Sequence, residues 1–177
     1  MRTISGLIVL CGLVAAIAVL AHAPAGLAQD SSEQAAGPRR EFEARGTLAP
    51  LGPPTQPPVR VEAGGSCVVD LRQPYVVSGS LSGSLEIDFR ILVNGPCEVP
   101  PAPGKYDEAW IAHGSFTGAL RGSAASGTVL YTADVRAGGR VEGRVVLGGG
   151  IDGELAVSGN FADGRLSYLG WARSGPQ

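Results

Sequence analysis

Lysine is nearly missing from this sequence: of the 14 basic residues only Lys105 is one. Aromatic residues are 6%, charged residues 17%, and there is a single methionine. The formal net charge of -2 leaves no basic face of the kind that tracks nucleic acid or an anionic membrane surface. The arginine preference reads as the mark of a GC-rich genome rather than of a binding surface. Beyond the N-terminus no segment carries a capped pattern of 3.6-residue period, so no helix is expected there. What the chain does have is glycine (27), proline (13) and 44% hydrophobic residues over 177 positions. That composition excludes wholesale disorder and fits one domain.

The first 28 residues read as an address. Arg2 precedes an apolar run from Ile4 to Ala21, and small residues at Gly26 and Ala28 suit cleavage after Ala28, with Ala23 as a second choice. The run approaches the ~20 residues that span a bilayer, so an uncleaved anchor is the alternative, and the only membrane contact expected. Cys11 makes a poor lipoprotein cysteine, because Leu10 stands where a small residue belongs. Residues 29–40 are polar and small, with almost nothing to bury, and read as a disordered tether. The folded domain is expected over 41–173, outside the cytoplasm: secreted, periplasmic or in the cell envelope.

Export leaves Cys67 and Cys97 as the only thiols. Two cysteines in an oxidising compartment pair most often, here around a loop of about 30 residues. A metal site would need more ligands than the one remaining histidine, His113, and a catalytic thiol would need a cationic or histidine neighbour.

The rest of the chain alternates. Leu85, Ile87, Phe89, Ile91 and Val93 oppose Glu86, Asp88 and Arg90. Val129, Tyr131, Ala133 and Val135 repeat the pattern. So do Val141, Gly143, Val145 and Leu147, then Ile151, Gly153, Leu155 and Val157, and finally Leu166, Tyr168 and Gly170. Period two marks half-buried strands. Gly138-Gly139, Gly148-Gly149-Gly150 and Asp163-Gly164 fall between them and supply turns. Spacings of about 8–12 residues make the connections hairpins and the sheet antiparallel. Pro50 to Pro58 reads as an extended connector or rim loop. Glycines inside the pattern, among them Gly83, Gly114 and Gly118, permit the coiling that closure needs. The expectation is therefore an all-β fold, a closed barrel of about eight strands, with a two-sheet sandwich as the alternative.

Catalytic signatures are missing. His113 with Asp107, Glu108 or Tyr106 could serve as a general base, but a strand histidine is more often solvent-facing. Ser115, Ser82 and Ser158 lie in β contexts without a nucleophile elbow. Asp107 and Glu108 point opposite ways on a strand. Asp152 and Glu154 share a face but lack the ligand spacing of a calcium loop. No metal, cofactor or nucleic acid is implied. Tyr106, Trp110, His113, Phe116, Tyr131 and Tyr168 are candidates for lining a ligand cavity; filling the core is the alternative.

The run from Gly114 through Ser-Phe-Thr-Gly-Ala-Leu-Arg to Gly122, then Gly138-Gly139-Arg-Val-Glu-Gly143, Gly149-Gly150-Ile-Asp-Gly-Glu-Leu155 and Ser158-Gly159-Asn-Phe161, resembles bacterial domains of unknown function that adopt an allene-oxide-cyclase-like barrel. The resemblance covers Phe42 to Trp171 and implies an eight-stranded barrel with a cavity. It carries over no catalytic residues, and the Cys67–Cys97 pair and the prolines at 96, 100, 101 and 103 depart from it. Three functions follow as expectations: binding of a small apolar molecule or a surface partner, a cavity-type isomerase or cyclase, or a structural envelope role. The oligomeric state is not legible.

Overall fold

The computed structural model describes residues 42–98 and 104–175. The signal segment 1–28 and the tether 29–40 lie outside the described residues. Nine strands follow in chain order: β1 (Phe42–Pro50), β2 (Val59–Ala63), β3 (Ser66–Gly79), β4 (Leu81–Val93), β5 (Glu108–Leu120), β6 (Ser123–Arg136), β7 (Arg140–Gly148), β8 (Ile151–Asn160) and β9 (Arg165–Ser174). A 3-10 turn, Phe161–Asp163, joins β8 to β9. Sheet order is β1-β9-β8-β7-β6-β5-β4-β3-β2, and β1 also pairs with β3. That last pairing closes the sheet, so β1 and β3 to β9 form an eight-stranded antiparallel barrel. The pairing is continuous round the ring, which a two-sheet sandwich does not have.

Alternation decides what goes inside. Leu85, Ile87 and Phe89 are buried, as are Val129, Tyr131, Val135, Val141, Val145, Leu147, Ile151, Leu155, Val157, Leu166 and Tyr168. Their odd-numbered or even-numbered neighbours face water, as period two requires. The tight turns use left-handed backbone where the strand twist demands it. Gly138 and Gly139 have φ of 99° and 82°, and Arg121 and Gly122 have 50° and 84°. The β8–β9 turn is capped: the Ala162 N–H donates to Asn160 Oδ1 at 2.9 Å, and Gly164 takes the left-handed exit.

Two glycines show why the ring closes. A Cβ at Gly46 would lie 1.9 Å from the Ser78 carbonyl oxygen and 2.5 Å from the Tyr168 hydroxyl. A Cβ at Gly114 would lie 1.9 Å from the Glu86 oxygen. Neighbouring backbones coil over these positions, and no side chain fits there.

The ninth strand arises from an interruption. Pro50 pairs with Tyr75, and the Leu51 N–H donates to the Pro74 oxygen at 2.8 Å. A directly opposed antiparallel pair would exchange two bonds, but Pro74 has no N–H to return. The ladder stops, the chain leaves as a proline-rich rim loop, and β2 then resumes along the same edge of β3, from Val59↔Asp70 to Ala63↔Ser66. Next to this edge Cys67 and Cys97 form a disulfide, with Cα atoms 4.9 Å apart. It ties the loop after β4 to the start of β3.

Candidate functional site

The barrel is unevenly filled. From β6 round to β9 the inward side chains pack tightly, with Ile151, Val141, Val157 and Val135 almost fully buried. Along β3, β4 and β5, at the end where the rim loops lie, a cavity of about 400 Å³ remains. Its wall is apolar: Leu71 and Tyr75 from β3, Phe89 and Ile91 from β4, Trp110 from β5, and Phe161 from the 3-10 turn. Pro50 at the end of β1, Pro54 and Pro58 of the rim loop and Pro96 of the loop after β4 line its mouth.

Its aromatic rings brace one another. Phe89 meets Trp110 edge-on at 5.5 Å and Tyr131 at 6.1 Å, and Trp110 lies 5.2 Å from Phe161. The edge-to-face pairs of Phe89 favour one arrangement beyond simple burial. Burial pushes the Tyr75 phenol up to about 12. Burial also raises Tyr131, with the nearby Tyr75 adding to it. Both therefore stay protonated at neutral pH. The Tyr131 hydroxyl is buried without a hydrogen-bond partner among the described residues.

Polar groups gather at the rim. Gln73, only 7% exposed, donates through Nε2 to the carbonyl oxygens of Gly52 and Pro74, both at 3.0 Å, and so holds the rim loop against β3. Glu108 accepts from Trp110 Nε1 at 2.8 Å and from the Gly104 N–H at 3.4 Å. Glu98 accepts from the Tyr106 hydroxyl at 2.9 Å and from Lys105. These bonds hold the Glu98 carboxyl below its ordinary value. Arg60 of β2 also lines the cavity and makes no hydrogen bond or ion pair among the described residues.

Of the six side chains singled out from the sequence, two line this cavity: Tyr106 and Trp110. Tyr131 packs against the wall from behind. Phe116 is wholly buried, deeper in the barrel. Tyr168 works at the far end, where its hydroxyl accepts from the Leu81 N–H at 2.9 Å and donates to the Leu81 oxygen at 3.3 Å. His113 is outside the barrel. It is exposed, stands opposite Asp88 and Leu130 in register, and lines a surface groove beside the Arg72–Asp88 and Arg90–Asp70 ion pairs. Strand parity gives the reason: Trp110, Ala112 and Phe116 turn inward, so position 113 turns outward. Ser115 is on that outward parity too.

Sequence reasoning missed Arg60, Leu71, Gln73 and Phe161. The first three sit on strands that the pattern did not reveal. Among the described residues no group of three or more His, Cys, Asp and Glu side chains could hold a metal ion, and no helix is long and apolar enough to cross a membrane.

No family model and no curated protein matches the chain. Among solved structures it is similar to a protein of unknown function from the DUF3224 family of Shewanella oneidensis MR-1. The identity is 15% and the TM-score 0.52, over 78% of this chain and 100% of that one. At that identity the likeness is one of fold: a small barrel whose function is unknown.

Proposed function

We propose that the protein is exported and binds a small, mostly apolar molecule in the chamber between β3, β4, β5 and the rim loops. The observation that carries this is the uneven filling of the barrel. On one side the inward side chains are almost fully buried, while the other keeps an apolar volume of about 400 Å³ beside polar rim groups. Ligand chambers commonly have this size and this mixture of apolar wall and few polar groups. The signal-like N-terminus and the Cys67–Cys97 bridge support an extracytoplasmic site of action. The barrel itself supports no particular activity, because fold does not carry function.

The test is titration with a neutral apolar fluorophore, N-phenyl-1-naphthylamine, together with native mass spectrometry of protein purified from its host. Ile91→Trp fills the chamber from its wall. Saturable binding by the wild type that disappears in Ile91→Trp, with the circular dichroism unchanged, supports the reading. Equal binding by both proteins, or by neither, overturns it and leaves the structural envelope role.

One observation favours a second reading, a cavity-type isomerase or cyclase. Tyr75 presents a phenol held protonated up to about 12 in the chamber wall, a neutral donor where positioning alone lowers a barrier. Turnover of an unsaturated lipid epoxide that is lost in Tyr75→Phe selects this reading. Binding without turnover selects the first.

A further inference from the structure

The charges around the chamber divide into matched and unmatched. Glu98 is engaged by Lys105 and Tyr106, and Glu108 by Trp110 and the Gly104 N–H. Glu98 is thereby paired with a cation, and both carboxylates are engaged by donors, Glu108 by two neutral N–H groups. Arg60 is the lining charge left without a partner among the described residues. Its placement is unusual. On β2, Val59 and Val61 face solvent at 63% and 58% exposure, while Arg60 between them is half-buried and turned to the chamber. Burial alone would favour the reverse arrangement.

We infer that Arg60 receives the anionic oxyacid head of an amphiphile whose apolar body fills the chamber. The inference rests on the binding function proposed above and names its ligand class. A guanidinium is always charged, and its planar fork of donors matches the paired oxygens of a carboxylate or phosphate. The apolar space beneath it holds on the order of a dozen water-sized groups, enough for a medium-length chain or a small ring system. The head stays at the rim, where water completes its solvation, and the body displaces water from the aromatic floor. The geometry therefore orders the ligand, with its charged end outward.

Calorimetric titration with octanoate, octyl phosphate and 1-octanol near neutral pH tests this on the wild type, Arg60→Gln and Arg60→Lys. The wild type is expected to bind at least one of the two anions about tenfold more tightly than the alcohol, as one charge-assisted contact provides. The order of octanoate and octyl phosphate tells which oxyacid the rim prefers. Arg60→Gln is expected to weaken the anions about tenfold, far more than it weakens 1-octanol, and Arg60→Lys to fall between. Circular dichroism of the variants checks the fold, which Arg60 does not brace. If anions and alcohol bind alike and Arg60→Gln alters neither, the head assignment is overturned while the apolar chamber stands. If none of the three binds to any protein, both readings fall.

Discussion

Two tyrosines offer a controlled comparison. Tyr131 and Tyr168 are both buried, at 3% and 2% exposure, and both point into the barrel. Their hydroxyls differ in circumstance. That of Tyr168 accepts from the Leu81 N–H at 2.9 Å and donates to the Leu81 carbonyl at 3.3 Å, linking β9 to the start of β4 beneath the β1–β3 seam. That of Tyr131 has no partner among the described residues. Tyr168→Phe removes the bonds and strands the Leu81 N–H in the core, at a cost of about 1–3 kcal/mol. For a domain of this size that is roughly 3–5 °C of Tm per kcal/mol. Tyr131→Phe removes an unpaired buried oxygen and is expected to be neutral, or stabilising by up to about 1 kcal/mol. The two substitutions remove the same atom, so differences in side-chain burial largely cancel. Urea unfolding at neutral pH with the disulfide intact, followed by tryptophan emission and checked by circular dichroism, gives both values on one scale. If Tyr131→Phe costs as much as Tyr168→Phe, or if Tyr168→Phe lies within about 0.5 kcal/mol of wild type, the account of the seam is wrong.

Further outcomes follow from other contacts. Removing the bridge with Cys67→Ala and Cys97→Ala together is expected to lower stability by about 3–4 kcal/mol by the chain-entropy model, read as a shift in the urea midpoint that reducing agent reproduces in the wild type. Gly114→Ala sets a Cβ against the Glu86 carbonyl and is expected to cost about 2 kcal/mol or more; an unchanged midpoint would mean that β4 and β5 shift freely. In alkali the buried phenols matter. Tyr75 is pushed up to about 12, and Tyr131 and Tyr168 are raised too, whereas phenols of the unfolded chain ionise near 10. The unfolded chain therefore loses these protons first. Their contribution is full below about pH 10 and declines as pH climbs from there toward 12. Urea midpoints measured from pH 9 to 11 should fall, and less steeply in Tyr75→Phe.

The second half of the barrel was legible because its strands obey the simplest rule. In β6, β7 and β8 a buried apolar residue alternates with a polar or small one, and glycine pairs mark the turns. The N-terminal strands hide the same geometry. In β3 the inward series includes Gln73, buried by bonds to the rim loop, and Pro74 interrupts what would otherwise read as a strand interior. In β2 the alternation is present but inverted, valines out and Arg60 in, so hydrophobicity points to the wrong face. The Arg121-Gly122 turn carried only one glycine where two left-handed residues were needed. The site suffered accordingly. Aromatics on the regular strands could be nominated, but which of them border empty space depends on the balance of side-chain volumes across the ring, and no single strand's pattern contains that.

The latch at Leu81 and the hollow near Cys67 occupy opposite ends of the third and fourth strands. Closing the cylinder and lining the hollow are thereby assigned to different residues. Substitutions along the hollow can reshape its wall while the join remains sealed, so the lining can vary without disturbing how the cylinder closes.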